Sequence, residues 1–394
     1  MTERIPLARP WLGGAELQAL RRVLASGWLT QGPEVAAFER EFAAFVGAPH
    51  ACAVTNCTTA LGLALEALEI GAGDEVLTVS HSFIAAANAI RQRGARPVFV
   101  DIDPATLNID PDRVEAAITP RTRAVLCVHQ LGMPCDLARL LKIARRRNLA
   151  VIEDAACALG SEIRIGGRWE RIGRPRGDVA CFSLHPRKVI TTGEGGLITT
   201  RRADLDRRLR LLRHHGMSIS DRERHEAREV RFEQYLLPGH NGRLTDLQAA
   251  VGRVQLRRLP GILERRRRLA ERYRLALAAL PGFRPVSEPV WARTNWQSYG
   301  VYLPDGIEQT IALQCLADRG IAARRGVMCA HREPAYPADA WTSGPPAPGA
   351  RSALAASETA SDRMILLPLY PQMTRREQDA VLAALRAIAR GRAD

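Results

Sequence analysis

The chain has 394 residues, more than one hydrophobic core usually organises, with 46% hydrophobic and 25% charged residues and a net charge of +14. That composition excludes disorder, collagen and fibre, and it predicts a large domain with a smaller one. No apolar run reaches the roughly 18 residues of a membrane span, and MTERIPLARPW lacks the basic-then-apolar order of a signal peptide, so the expected compartment is the cytoplasm.

From about residue 50, short β-rich apolar runs alternate with stretches of helical spacing. Strands are predicted at Ala51–Val54, Glu75–Val79, Pro97–Val100, Ala124–Val128, Leu149–Ile152, Val179–Ser183 and Leu197–Thr200, with helices at Ala60–Glu69, Phe83–Gln92 and Leu137–Arg147. Such alternation reads as a parallel sheet covered on both faces, with ligand chemistry at the carboxyl ends of its strands. Beyond residue 204 the pattern turns helical and charged, through LTDLQAAVGRVQLRRL and a second basic helix around Gly261–Leu280. PGFRPVSEP (281–289) then breaks the chain ahead of a segment of mixed character. Residues 341–362, rich in Pro, Gly, Ala and Ser, read as a loop, and the last helix is placed at Thr374–Arg390.

The eight cysteines form no CxxC pair and lie in apolar runs, as reduced core thiols would. Neither disulfides nor a metal site is indicated: His225-Glu226 lacks a second histidine at the spacing that a metalloprotease helix needs. Lysine is far more telling, because all but two of the 56 basic residues are arginine. Arginine replaces lysine wherever a surface cation suffices, but it stays protonated and cannot act as an amine nucleophile. Lys142 lies on a basic helix face and is expected to be solvated. Lys188 sits in DVACFSLHPRKVITTGEGGLITT (178–200), on a loop after a strand, where Gly193, Gly195 and Gly196 permit positive φ or close approach. A plain surface lysine would look the same.

Two further segments carry chemistry. In LAVIEDAACALGS (149–161) a hydrophobic run ends in Glu153-Asp154. An acid there needs a cation or donors, and the alternative is a helix N-cap. In HACAVTNCTTALGLALEAL (50–68) a helix begins near Thr58, and its free N–H groups with the Thr58 and Thr59 hydroxyls form a phosphate cradle or a simple cap. An amine, an acid for a pyridinium and a phosphate-binding helix start are together what pyridoxal 5′-phosphate (PLP) demands.

In that order, these segments resemble the DegT/DnrJ/StrS group of PLP-dependent aminotransferases. The likeness runs nearly end to end, through IPLARPWLG (5–13), SGWLTQGPEVAAFE (26–39), ARPVFVDID (95–103), VHQLGMPCDL (128–137), EDAACALGS (153–161), FSLHPRKVITTGEGG (182–196), GHNGRLTDLQAA (239–250) and LPLYPQMT (367–374). It implies an aspartate-aminotransferase-like α/β protein of fold type I, with a mostly parallel seven-stranded sheet. The large domain would span 1–255 and a C-terminal α+β domain 256–394. The resemblance further implies transfer of an amino group from an amino acid, glutamate above all, to a keto sugar that is nucleotide-linked. Cyclitol amination and a non-aminating, regulatory PLP protein are the alternatives. Nucleic-acid binding is suggested by the charge alone, without a supporting motif.

Position by position, the resemblance makes Lys188 the Schiff-base lysine and proton shuttle, and Asp154 the partner of the pyridinium nitrogen. Phe83 would stack on the ring, while Cys57, Thr58 and Ser183 would hold the phosphate. Asn241 would reach that phosphate from the partner subunit of a homodimer with shared active sites. Phe83 as core and Asn241 as a turn residue are the bland counterparts. Thr30, Gln31 and the neighbouring His185 fall close to substrate, as do Asn295, Trp296, Gln297 and MCAHREPAY (328–336) if the small domain closes. The departure is Cys157, where the family usually carries Gln or His against the ring hydroxyl, since a thiol is a weak donor.

Overall fold

The computed structural model describes residues 4–227 and 229–390, without the side chains of Arg222 and Glu226. Its strands are β1 (His50–Val54), β2 (Glu75–Val79), β3 (Arg96–Val100), β4 (Thr122–Val128), β5 (Ala150–Asp154), β6 (Glu162–Ile165), β7 (Arg168–Arg171), β8 (Val179–Ser183), β9 (Gly196–Thr200), β10 (Arg284–Pro285), β11 (Ala292–Arg293), β12 (Tyr299–Tyr302), β13 (Arg324–Arg325), β14 (Thr342–Ser343) and β15 (Met364–Leu367). The main sheet runs β1-β9-β8-β5-β4-β2-β3-β14. From β8 to β14 every pairing is parallel, and β9 alone runs against its neighbours. All seven predicted strands are present within two residues of their expected ends, and β14 adds an eighth at the edge. Strands β2, β8 and β9 are buried at every position, as a sheet covered on both faces requires.

Two findings differ from the sequence reading. The stretch 341–362 is only partly loop: Thr342 and Ser343 pair with Val98 and Phe99 of β3, and Ala355–Arg363 is a helix. The two helical stretches around Pro260 are a single helix, Asp246–Leu277. Pro260 removes one N–H, but Leu256, Leu259, Ile262 and Leu263 are buried on either side of it, and that continuous packing carries the helix through.

A second apolar core gathers Tyr273, Leu277, Tyr299, Val301, Leu316, Ile365, Leu367, Tyr370 and Leu385 around the antiparallel sheet β10-β12-β15-β13. The N-terminal strap joins it through Ile5, bridged to Ile321. The long helix spans both cores, so residue 255 falls inside it. A small satellite core of Ala87, Phe99, Ala330, Tyr336 and Leu354 fastens the C-terminal half to the β3 edge.

Candidate active site

The carboxyl ends of β1, β5 and β8 deliver the site, where β9 enters antiparallel between β1 and β8. After Ser183 the chain makes a closed turn: Leu184 N–H donates to Gly195 C=O at 2.8 Å, Thr191 Oγ1 donates to Leu184 C=O at 2.7 Å, and Lys188 N–H donates to His185 C=O at 2.8 Å. Gly193 supplies the positive φ of 84° that closes it. The Lys188 side chain lies half-buried, with Nζ donating to Cys157 Sγ at 3.2 Å. Burial alone would push its ammonium form down, but the Cys157 sulfur, their hydrogen bond and Asp154 outweigh that and hold the amine above its ordinary value. Lys142, by contrast, is solvent-exposed as expected.

Asp154 ends β5, buried, with Oδ1 accepting from Ala156 N–H at 3.0 Å. This is a local turn and not a helix N-cap, since no helix follows before residue 161. Its second oxygen has no donor among the described residues. Burial raises the Asp154 carboxyl above the usual range, and the Ala156 N–H, Lys188 and His129 offset this only in part, so a further cation would be welcome here. Alternation along the strand turns Glu153 to the other face, where it meets the buried His129 at 3.1 Å. His129 Nδ1 accepts from Cys135 N–H at 2.9 Å, so its Nε2–H is the donor to Glu153. Of the Glu-Asp pair, one carboxylate faces the pocket and the other is already partnered.

At the end of β1 the helix Cys57–Ala67 starts with Asn56 as cap, its Oδ1 accepting from Thr59 N–H at 2.8 Å. The N–H groups of Cys57 and Thr58 precede the first helical bond, made by Ala60 N–H to Asn56 C=O at 3.1 Å, and Thr58 is exposed. Thr59 is spent on the cap and on a 3.1 Å hydroxyl contact with Thr55, which narrows the predicted hydroxyl pair to Thr58. A Cβ on Gly196 would lie 2.6 Å from the carbonyl of Asn56 and 2.9 Å from Cys57 N, so only glycine lets β9 pass this helix start. Ser183 is buried with Oγ accepting from His185 N–H at 3.4 Å.

Sheet pairing draws these groups together: Asp154 lies opposite Cys181, Ser183 opposite Gly196, and Gly196 against Asn56 and Cys57, while Asp154 and Lys188 both act electrostatically on the Cys57 thiol. Phe83, in the turn that follows β2, has 65% of its surface exposed, too open to be core. Asn241 is exposed on a loop whose Gly242 C=O accepts from Thr55 N–H at 2.9 Å. Thr30 is exposed, while Gln31 is half-buried with an unpartnered Oε1. Asp246 fixes that segment by accepting from Gly32, Glu34 and Val35 N–H groups at 2.8, 3.1 and 2.9 Å. Burial lowers the His185 pKa, Glu194 opposes it, and Arg187 and Lys188 lower it further.

Asn295 and Gln297, expected near substrate, are braces in this structure. The buried Asn295 donates through Nδ2 to Cys157 C=O at 2.8 Å and Leu159 C=O at 2.9 Å, and Gln297 donates to Arg187 C=O at 2.9 Å. They hold the Cys157 and Lys188 loops from the second core, a contact across more than 100 residues with no local sequence signal. Trp296 packs on that core. The 328–336 segment docks on the end of β2, where His331 Nδ1 lies 2.6 Å from Ser80 Oγ.

The fold and the comparisons that follow make this protein a PLP-dependent aminotransferase of fold type I, with pyridoxal phosphate as cofactor. The structure is similar to the aminotransferase TlmJ from Streptoalloteichus hindustanus, at 35% identity over 98% of this chain and 99% of that one (TM-score 0.87). It is also similar to DesV from S. venezuelae, at 34% identity over 98% and 99% (TM-score 0.85). A protein described as a sugar aminotransferase, Spr1654 from Streptococcus pneumoniae, matches in its PLP form at 26% identity over 98% and 99% (TM-score 0.88). The profile of the DegT/DnrJ/EryC1/StrS aminotransferase family matches residues 10–386, and the chain belongs to that family.

Proposed function

We propose that this enzyme moves an amino group from glutamate to a nucleotide-linked keto sugar, with Lys188 as its catalytic amine. The observation that carries the reading is that Lys188, bonded to Cys157, follows β8, which pairs with the Asp154 end of β5 and, through β9, abuts the open start of the Cys57–Ala67 helix. When bound, PLP supplies a carbonyl carbon that amines condense with and a cationic ring that takes up electrons. Asp154 would hold that ring's protonated nitrogen, which would offset the rise that burial imposes on its carboxyl. Cys57 and Thr58 N–H groups, the Thr58 hydroxyl and Ser183 would hold the phosphate, and Phe83 and Cys157 would serve the ring and its hydroxyl. Lys188 takes and returns the proton at the substrate carbon, and Thr30, Gln31 and His185 line the substrate side.

The sugar assignment is supported by the relatives, among them PseC from Helicobacter pylori, an aminotransferase of pseudoaminic acid biosynthesis. The homodimer, with Asn241 reaching the partner's phosphate site, is supported by the exposed apolar stretch just ahead of it: Val230 and Phe232 are each 86% exposed, beside Tyr235 and Leu236. Eight free cysteines suit a reducing compartment, and no helix among the described residues is long and apolar enough to cross a membrane.

Glutamate alone should discharge the yellow colour of the purified protein, and a panel of nucleotide keto sugars should restore it where cyclitol ketones do not. Colour that survives glutamate, or a Lys188→Ala variant that turns over normally, would sink the reading. Borohydride should fix the cofactor to residue 188.

A further inference from the structure

Cys157 differs from the other seven cysteines in two ways. It alone is not buried, and its sulfur touches an amine, Lys188 Nζ, at 3.2 Å. Cationic, partly open surroundings make a thiol reactive, and about 3–3.5 Å is a separation from which bonded atoms react. The main chain under Cys157 is pinned by Asn295 at 2.8 Å, so the pair is held in place and not met by chance. We propose that Cys157 and Lys188 form an oxidative modification site, in which hydrogen peroxide joins them through a reversible sulfur–nitrogen bond.

The chemistry balances. Cys157 thiolate attacks one peroxide oxygen, the S–O bond forms, the O–O bond breaks, and the departing hydroxide takes a proton from the Lys188 ammonium and leaves as water. That same transfer leaves a neutral amine beside a sulfenic acid. The amine nitrogen attacks sulfur, the N–S bond forms, the S–O bond breaks, and hydroxide leaves as a second water with the nitrogen's proton. Sulfur loses two electrons and peroxide gains them. Cys57 and Cys181, nearby, are poor competitors because burial pushes both thiols well up.

Such a bond consumes the amine, which silences the enzyme if Lys188 has the role proposed above. It also requires the thiol at 157, so relatives with Gln or His there cannot form it. The test treats the protein, as purified and after the cofactor is displaced with hydroxylamine, with hydrogen peroxide, then digests it without reductant for mass mapping. The expected result is a linked pair of peptides carrying residues 157 and 188, lighter by two hydrogens than their sum and separated again by dithiothreitol. The pair should be more abundant after cofactor removal, absent from Cys157→Ser and kept in Cys57→Ser. A Cys57–Cys157 disulfide, an over-oxidised Cys157 without a link, or an untouched Cys157 would overturn the proposal. Borohydride labelling reports separately on the role of Lys188, so failure of one result does not imply failure of the other.

Discussion

At the carboxyl end of β5 the buried Asp154 accepts a single backbone hydrogen bond, whereas at the β3 edge the buried Asp101 is held by four donors. Asp101 is buried with Oδ1 accepting from Ile102 N–H at 2.9 Å, Ser357 N–H at 2.8 Å and Ser357 Oγ at 2.6 Å, and Oδ2 from Ala356 N–H at 2.9 Å. Beside it, Ser80 meets His331, whose Nε2 lies 3.2 Å from Glu358. Asp154, equally buried, accepts one backbone bond. Burial raises the Asp154 carboxyl, so an acid with so few donors favours a cationic partner. The Asp101 and Ser80 contacts fasten the 328–363 segment to the large sheet.

If that contrast holds, changes in the pocket should cost chemistry and changes at the edge should cost stability. Lys188→Arg keeps the cation and removes the nucleophile; transamination should fall at least on the order of 10²–10⁴-fold while the melting temperature stays near wild type. Asp154→Asn loses a charge-assisted bond worth about 1.5–3 kcal/mol, so PLP affinity by fluorescence titration should weaken by roughly 10–150-fold. Asp101→Ala leaves buried donors without an acceptor at about 1–3 kcal/mol, read as a lower denaturant midpoint, with the turnover of folded enzyme retained. Collapse of activity without loss of stability in that variant would break the comparison.

Two smaller effects sharpen it. Gly196→Ala drives a Cβ into the Asn56 carbonyl and should cost about 1–3 kcal/mol, much of it seen as weaker retention of PLP. His81 is buried without a partner on either ring nitrogen, and burial lowers its pKa from 6.5 to about 4, against a weaker pull from Asp101. The folded chain therefore binds fewer protons than the unfolded one below pH 6.5. Its stability should be full above that pH and decline as pH falls towards 4, by at most about 1.4 kcal/mol per pH unit for this one group. Thermal melts of His81→Phe should show a shallower decline.

Lys188 stood out in the sequence because arginine had replaced lysine almost everywhere that charge sufficed. Asp154 was legible as an acid at a strand end, though only the tertiary structure separates it from Glu153, which the sequence offers as an equal neighbour. Phe83 and Asn241 owed their expected roles to resemblance, and the structure leaves both exposed. Asn295 and Gln297 brace the Cys157 and Lys188 loops, which the sequence could not show, because a brace is defined by what it reaches and not by its neighbours in the chain.

Period, turn residues and composition therefore determined the seven strands and the singular lysine, which are legible from patterns a few residues long. Tertiary structure decided the rest: the β14 pairing and the Ala355–Arg363 helix at the sheet edge, the unbroken helix across Pro260, and the contact of Cys157 with Lys188. Each of these depends on partners tens to hundreds of residues away. Their free energy comes from burial and from hydrogen bonds that exist only once the two cores have formed.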